Sequence, residues 1–203
     1  MILTGPAIRA AIRSGDITIT PLTDTPDDSQ IAQASVDLHL HPRLLVCHTT
    51  RARPTWLGSF EVEDAPPLDV REDNAGRFGD VTPRSDGAFS LCPGQLYLGS
   101  TIERIHAPRY VAVIDGKSSL ARLGVQVHLT AGYIEPGFHG QITLEIVVTR
   151  PIFLPPGWPI AQIRFHETTG EVEGYTTRGH YADAAQTDGP QPSRSHLHKP
   201  RHV

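Results

Sequence analysis

Apolar and polar residues alternate along several short segments of this 203-residue chain, most clearly from Thr143 to Val148. Alternation with a period of two predicts a β-strand, whose successive side chains point to opposite faces. Leu144, Ile146 and Val148 then share an apolar face, and Glu145 points away from it. The predicted strands are Val36 to Leu40, Leu44 to His48, Gln95 to Ile105, Tyr110 to Ile114, Val125 to Leu129, Gln141 to Val148 and Ile160 to His166.

A helical pattern occupies the N-terminal segment from Thr4 to Ser14. Ile8, Ala11 and Ile12 fall on one side of this helix, and Gly15 is suited to end it. We expect the apolar side to pack on the β structure.

A second, very short helix is predicted after the strand at Tyr110 to Ile114, where an Asp-Gly pair turns the chain. Ser118 or Ser119 can cap its start, and free backbone N–H groups at such a start favour an anion. Ser118 and Arg122 are four residues apart and share a helix face, so they offer a hydroxyl and a planar cation to one ligand. This combination suits a phosphate or a polar base edge.

Many short strands between turn residues predict a mainly β fold, either a sandwich or a barrel. The 18 glycines and 18 prolines also favour a turn-rich β architecture over a helical bundle. Residues 21–30 and 52–90 are rich in Pro, Asp and other polar residues, and we predict loops or insertions there. We expect one β domain over residues 1–190 and a flexible tail at residues 191–203.

Charge and cysteine content limit the kinds of partner and the cellular compartment that we expect for this protein. The formal net charge is −4 and no long basic run is present, so a nucleic acid polymer is not expected and any nucleotide partner should be free. No apolar run is long enough to cross a bilayer. Cys47 and Cys92 form no CxxC motif and no apolar leader precedes them, so we expect a cytoplasmic protein.

Eleven histidines raise the question of a metal site. His196, His198 and His202 lie in a tail that also contains Pro and Arg. The paired HxE and PCxxC motifs of zinc deaminases are absent, so zinc is not expected.

The segment from Ala131 to Glu145 combines glycines with two carboxylates. Gly132 and Gly137 allow left-handed backbone or the close approach of a ligand, so backbone groups could read a nucleobase there. A carboxylate such as Glu145, held in a partly dry pocket, has a raised pKa and suits a hydrolytic base. The alternative interpretation is that Glu145 is a solvated strand residue and that Ser118 and Arg122 belong to an ordinary capped helix.

Five sequence blocks follow one another in a recognisable order: ASVDLHL (34–40), GKSSLARLG (116–124), TAGYIEPGFHGQITLE (130–145), PPGWPIAQI (155–163) and a tail around His180-Tyr181 and Gly189 to Arg194. Together they resemble the dCTP deaminase family, which is related to the trimeric dUTPases, over nearly the whole chain. Two of the blocks are long and specific. The Ala-Gly pair in the third block resembles the bifunctional members, which convert dCTP to dUMP, more than members that stop at dUTP.

The resemblance implies a fold, an assembly and a cofactor. The fold would be a distorted jelly-roll β-barrel of the dUTPase-like type, assembled as a homotrimer with sites between subunits. The substrate would be a deoxyribonucleoside triphosphate, with Mg²⁺ held mainly by its phosphate oxygens and water. Deamination in this family needs no metal at the reacting carbon.

The resemblance also implies roles for individual residues. Glu145 would activate water for attack on C4 of cytosine, with Ser118 and Arg122 as its catalytic partners. Ala131 and neighbouring backbone would read the base edge, and Tyr133 would lie under the deoxyribose. The implied substrate-binding residues are Lys117, Ser119, Ala131, Gly132, Tyr133, Glu135, Gln162, His180, Tyr181 and Gln186.

Three positions depart from the family pattern. Lys117 replaces an arginine, Glu135 replaces an aspartate that binds the sugar 3′-hydroxyl, and His180 replaces a lysine. These departures favour one alternative, a pyrophosphohydrolase acting on a different or modified nucleotide. A separate alternative is a trimeric nucleotide-binding protein without turnover. Asp37 belongs to the block that supports magnesium and phosphate in dUTPases, but its alternation with apolar neighbours favours a structural role.

Overall fold

The computed structural model describes residues 1–48, 50–54, 60–64, 68, 73–172, 175, 181 and 187–193. Within this part of the chain the structure is mainly β, as predicted. The helices are α1 (Gly5–Ser14), α2 (Ser118–Ala121) and a 3₁₀ helix (Ala75–Arg77). The strands are β1 (Thr18–Thr20), β2 (Val36–His39), β3 (Leu45–Cys47), β4 (Thr50–Pro54), β5 (Phe60–Asp64), β6 (Phe78–Asp80), β7 (Phe89–Leu91), β8 (Tyr97–His106), β9 (Tyr110–Gly116), β10 (Val125–Gln126), β11 (Tyr133–Ile134), β12 (His139–Val148), β13 (Ile152–Leu154) and β14 (Pro159–Glu167).

Two antiparallel sheets carry most of these strands. The larger sheet has the order β10-β12-β8-β3-β6, with β1 pairing on β8. The smaller sheet has the order β11-β9-β14-β2. Two further pairs, β13 with β7 and β4 with β5, complete the topology of the described residues. The long pairing of β12 with β8 is important for the site because it sets the face on which Glu145 lies.

One cluster of buried apolar side chains joins the two sheets. On β12, Leu144 and Ile146 are fully buried, while Glu145 between them is only half-buried. On β14, Ile163 and Phe165 are fully buried in the same way. The alternation predicted for β12 is therefore confirmed, and it directs Glu145 away from the core.

Helix α1 follows its prediction closely. It has a proline in its first turn, and Gly15 ends it in the left-handed region with φ 81°, where glycine is favoured. The Gly15 N–H donates to the Ile12 carbonyl at 3.1 Å. Ile8 and Ala11 are buried in the common core cluster, so the predicted packing on the β structure is confirmed.

A bulge interrupts the ladder between β8 and β12. Gln141 pairs with Arg104 and Thr143 pairs with Ser100, so three residues of β8 face one residue of β12. The Ile142 N–H donates to Thr101 Oγ1 at 3.0 Å instead of to a ladder carbonyl. Bulges of this kind bend a strand and redirect its side chains, and they are frequent next to functional sites.

Six predicted strands agree with the structure within two residues at each end, but the seventh is shorter than predicted. The segment Val125 to Leu129 forms a strand only over Val125–Gln126, where it pairs with the end of β12. Beyond this pairing, His128 and Leu129 leave the ladder and both influence the pKa of the Glu145 carboxyl.

Short strands were missed in regions predicted as loops or left unassigned. Residues 52–90 contain β5, the 3₁₀ helix and β6, and parts of β4 and β7; the prediction of loops there is wrong for these residues. Strands β1, β7 and β13 have three residues each and pair with partners far away in sequence. Three residues are too few to show a period, so their pairing could not be seen in the local pattern.

Candidate active site

A cavity of about 580 Å³ opens on the Glu145 face of β12. Its walls come from β12, β8, β11 and the turn that follows β11, and much of its lining is apolar. Five of the residues that the sequence singled out lie in this lining: Ala131, Tyr133, Glu135, Glu145 and Tyr181. The structure thus brings together the implied general base, the residues implied to contact the nucleobase and the sugar, and one residue of the C-terminal part of the chain.

Glu145 is the central polar residue of the cavity. It pairs with Leu98 across the β8–β12 ladder, and Leu98 and Ile142 also line the cavity. Burial raises the pKa of the Glu145 carboxyl above its ordinary value, and hydrogen bonds from backbone N–H groups of Glu145 and Leu129 partly oppose that shift. A carboxylate in this position is a stronger proton acceptor than one in water, which suits a general base.

His128 lies next to Glu145 and was not singled out from the sequence. Its charge is a further influence that lowers the pKa of Glu145. Its Nδ1 atom is buried and has no hydrogen-bond partner among the described residues. The only signal in the sequence was a polar residue between Val127 and Leu129 in a segment that resembled an ordinary strand.

Gly132 allows a close approach within the chain. A Cβ atom at this position would lie 2.8 Å from the Ile114 carbonyl oxygen and 3.1 Å from the His128 ring. Gly132 is itself buried, and its carbonyl accepts a hydrogen bond from the Ile114 N–H at 2.8 Å. The absence of a side chain at Gly132 therefore lets His128 pack against the backbone beside Glu145.

Glu135 begins the turn that leads into β12. Its carbonyl accepts a hydrogen bond from the Phe138 N–H at 3.2 Å, and Gly137 within the turn has φ 84°. The left-handed backbone expected at Gly137 is confirmed. The Glu135 side chain is exposed at the cavity, where it could reach a polar group of a ligand.

Helix α2 carries a second group of the predicted site residues. Ser118, Ser119 and Arg122 are all exposed and lie outside the cavity lining. The prediction that Ser118 or Ser119 caps α2 is wrong, because Lys117 occupies the N-cap position and no side chain makes the capping bond. Both serines lie inside the first turn, and Ser118 and Arg122 are joined by a backbone hydrogen bond of 3.2 Å.

Lys117 forms an ion pair with Asp37 of β2. Both side chains are mostly buried, with 23% and 29% of their surface exposed. The pair ties the start of α2 to the smaller sheet. This contact agrees with the structural role predicted for Asp37, and it leaves the ammonium of Lys117 already neutralised within its own chain.

Gln162 lies beside this ion pair, since it pairs with Asp37 across the β14–β2 ladder. Its Nε2 donates to the Gly116 carbonyl at 3.3 Å, and its Oε1 accepts from Ser35 Oγ at 3.3 Å. Gln162 and Lys117 thus belong to the α2 side of the molecule. Neither lines the cavity that holds Glu145.

The C-terminal part of the chain reaches the cavity through Tyr181, whose N–H donates to Tyr175 Oη at 3.3 Å. The Tyr175 ring meets Phe138 edge-on, with ring centroids 5.7 Å apart. His180 and Gln186 lie outside the described residues. Their implied roles at the phosphates therefore remain predictions.

Among the residues that the structure describes, no group of three or more His, Cys, Asp or Glu side chains is arranged to hold a metal ion. Among the same residues, no helix has the length and apolar character required to span a bilayer.

Comparison with protein families identifies the fold type. A family model described as dCTP deaminase-like matches residues 2–168. The chain belongs to the dCTP deaminase-like family. The resemblance based on the five sequence blocks is thereby confirmed, and so is the mainly β fold that it implied.

Relatives in this family align over almost their whole lengths. The "dCTP deaminase, dUMP-forming" of Halobacterium salinarum is 39% identical over 202 residues, which are 96% of this chain and 94% of that protein. The protein of the same description from Beutenbergia cavernae is 39% identical over 205 residues, covering 97% and 96%. A crystal structure of 2′-deoxycytidine 5′-triphosphate deaminase from Agrobacterium tumefaciens aligns with a TM-score of 0.55 at 20% identity, over 88% of this chain and 53% of that longer chain. This last likeness supports the fold alone.

Proposed function

We propose that this protein deaminates dCTP hydrolytically and continues to dUMP, with Glu145 as the general base. The observation that carries the proposal is a half-buried carboxylate of raised pKa in a cavity that also presents Ala131, Tyr133 and Glu135. The relatives from Halobacterium salinarum and Beutenbergia cavernae, both described as dUMP-forming dCTP deaminases, support the same substrate and product.

The proposed chemistry at C4 of cytosine needs one base that can also return a proton. Glu145 takes a proton from water as the oxygen attacks C4 and passes it to N3, which gives a neutral tetrahedral intermediate. The same carboxylate then takes the proton of the new C4 hydroxyl and delivers it to the amino group, so that ammonia leaves as the uracil C4 carbonyl forms. A carboxyl whose pKa is raised by burial performs both transfers near neutral pH more readily than an exposed one.

Release of pyrophosphate would follow by attack of a second water on the α-phosphate of dUTP, giving dUMP and pyrophosphate. Glu135 is the carboxylate of the cavity lining other than Glu145, and we propose that it contacts the sugar or orients this water. Its side chain is one methylene longer than the aspartate of the family pattern. The angle of attack at phosphorus is sensitive to such a shift, so this step is the one that Glu135 would slow.

We further propose that the complete site forms between copies of the chain in a homotrimer. Ser118 and Arg122 are exposed and lie outside the cavity of their own chain, although both are implied in catalysis. Leu123 and Leu129, near them in sequence, are each 52% exposed. Exposed apolar side chains of this size are typical of an interface, and a neighbouring α2 placed there would add a hydroxyl and a guanidinium to the cavity.

Magnesium would enter this site together with the triphosphate. The chemistry of the lining fits this arrangement, because two carboxylates and no described three-ligand cluster suit an ion held mainly by phosphate oxygens and water. A bound Mg²⁺ would neutralise phosphate charge, while deamination at C4 would depend on Glu145. Action on a free deoxynucleotide also agrees with the expected cytoplasmic location.

A pyrophosphohydrolase acting on another nucleotide remains the second candidate function. The observation that favours it is the Lys117–Asp37 ion pair, because an ammonium paired within its own chain cannot reproduce the bidentate contact that an arginine at this position would offer to the family's substrate. This candidate predicts pyrophosphate release from some other nucleoside triphosphate and none of the ammonia expected from dCTP.

Product analysis distinguishes these functions. The purified protein is incubated with dCTP and Mg²⁺, the nucleotides are separated by chromatography, and ammonia and pyrophosphate are measured in the same samples. The proposal predicts dUMP with ammonia and pyrophosphate in equal amounts. Accumulation of dUTP with release of ammonia alone would show that the protein catalyses only the deamination. Unchanged dCTP would contradict both steps, and other nucleotides would then be tested as substrates.

A further inference from the structure

Gln141, Thr143 and Glu145 occupy alternate positions on β12 and all three line the cavity. The proposed function uses only Glu145. The other two side chains contact residues 187–193, a segment we name the C-terminal strap. Both contacts use side-chain oxygens of β12, so the backbone groups of the strand remain available for pairing with β8.

The strap follows β12 with a spacing that matches the strand. The Gly189 N–H donates to Gln141 Oε1 at 2.8 Å, and the Gln191 N–H donates to Thr143 Oγ1 at 3.1 Å. Donors two residues apart on the strap thus meet acceptors two residues apart on β12. The strap is held as an added strand would be, except that its acceptors are side chains rather than carbonyls.

Gln141 is well fixed for this purpose. It is 5% exposed, and its Nε2 donates to the Ile102 carbonyl at 3.2 Å within the β8 bulge. With its nitrogen engaged by the bulge, the amide oxygen is left pointing at Gly189. The bulge therefore orients the side chain that receives the strap.

Other contacts secure the beginning of the strap. Arg104, which pairs with Gln141 across the ladder, donates from Nη2 to the Thr187 carbonyl at 2.7 Å. Asp188 lies 3.4 Å from His41 Nε2 and 3.7 Å from Arg104 Nη2. These contacts place Gln191 and Ser193 in the cavity lining with Glu145.

We infer that Gln141 and Thr143 are positioning residues, which hold the strap against β12 as a wall of the cavity. The inference rests on the proposed function for its catalytic consequence. A wall that is already in place costs less conformational entropy when substrate binds, so its loss weakens substrate binding more than it slows the chemical step.

Thr143 offers the cleaner test because it is only half-buried. Thr143→Val removes the acceptor for the Gln191 N–H and nearly keeps the shape, and Thr143→Ser keeps the hydroxyl. Thr168→Val is the matched control, since its Oγ1 donates to the Arg109 carbonyl at 3.1 Å outside the cavity lining.

The first measurement is hydrogen–deuterium exchange of the nucleotide-free protein over residues 187–193. We expect exchange of the Gln191 amide to accelerate about fivefold in Thr143→Val and to stay at the wild-type rate in Thr143→Ser and Thr168→Val. The inference would be overturned if Thr143→Val exchanged like wild type. This result does not depend on turnover, so a protein inactive on dCTP would contradict the proposed function and leave the docking result intact.

The second measurement is steady-state kinetics with dCTP. Thr143→Val should raise KM about fivefold and change kcat by less than twofold, with Thr143→Ser close to wild type. A fall in kcat at unchanged KM would overturn the positioning role.

Discussion

Lys117 and Asp37 form a partly buried ion pair that joins the N-cap of α2 to the second strand, across 80 positions of sequence. This pair explains how a helix of only four residues keeps a defined position without a capping side chain. It also gives Lys117 a structural role in addition to the substrate-binding role that the family resemblance implied. The residue that departs from the family pattern acts first on its own chain, by fixing the helix that carries Ser118 and Arg122.

Breaking this pair should cost stability. We expect Asp37→Asn and Lys117→Met each to lower the free energy of unfolding by about 1 kcal/mol, because each leaves a polar partner uncompensated in a partly buried site. The double variant should lose less than the sum, as measured by urea denaturation in a double-mutant cycle. Arg43→Met, which breaks an exposed pair with Asp80, is the control and should leave stability unchanged. Additive losses at Asp37 and Lys117 would show that the two side chains are not coupled.

The raised pKa of Glu145 predicts the pH dependence of activity. The base acts in its deprotonated form, so kcat/KM should fall as the pH drops through a pKa above that of an ordinary glutamate. His128→Gln removes a nearby charge that lowers this pKa, and the acid limb should therefore move to higher pH. If kcat/KM fell with the pKa of an ordinary glutamate, or if His128→Gln left that pKa unchanged, the partly buried environment proposed for Glu145 would be contradicted.

The same shift predicts an effect on stability with the opposite sign from a salt-bridged carboxylate. Because the folded-state pKa of Glu145 is raised, ionisation of the buried carboxyl destabilises the folded state at pH values above that pKa. Glu145→Gln should therefore be more stable than wild type at neutral pH, and the difference should shrink as the pH falls through the raised pKa. Thermal unfolding of both proteins across this range measures the difference, and a less stable Glu145→Gln at neutral pH would contradict it.

A site shared between copies predicts complementation between inactive variants. Glu145→Gln supplies an intact Ser118, and Ser118→Ala supplies an intact Glu145. In random mixed trimers about a quarter of the sites would combine both intact residues, so co-refolding should restore about that fraction of wild-type activity. Sedimentation checks the assembly. Mixtures that stay inactive while forming trimers would mean that both residues act within one chain.

Glu135→Asp tests the second reaction separately. Shortening this side chain restores the length of the family pattern and should increase the rate of pyrophosphate release while ammonia release stays unchanged. Rapid quenching followed by separation of dUTP from dUMP measures both steps. A lower rate of pyrophosphate release would show that the cavity is adapted to the longer side chain.

Local patterns in the sequence sufficed for the elements whose structure depends on near neighbours. The alternation around Glu145 predicted both its strand and its face, because burial of Leu144 and Ile146 imposes a period of two. Helix α1 and its glycine end followed from the same kind of local signal. Five residues of the cavity were implied by a family resemblance, since no local pattern predicts that β11 and β12 bring Tyr133 near Glu145.

The features that the sequence did not predict arise from contacts between distant segments. The β8 bulge depends on the side chain of Thr101 meeting Ile142, and the strap depends on Gln141 meeting Gly189. Helix α2 lacks the predicted serine cap because Lys117, held by Asp37, takes that position. His128 resembled an ordinary strand residue until its position beside Gly132 and Glu145 was known.

The role of Glu145 as the base is tested by comparing Glu145→Gln with Glu171→Gln, which removes the same charge from an exposed residue outside the cavity lining. Ammonia release from dCTP is measured for both variants, and calorimetry measures their binding of dCTP. Glu145→Gln should bind dCTP and release no detectable ammonia, while Glu171→Gln should match the wild type. Ammonia release by Glu145→Gln at the wild-type rate would contradict the assignment of Glu145 as the base.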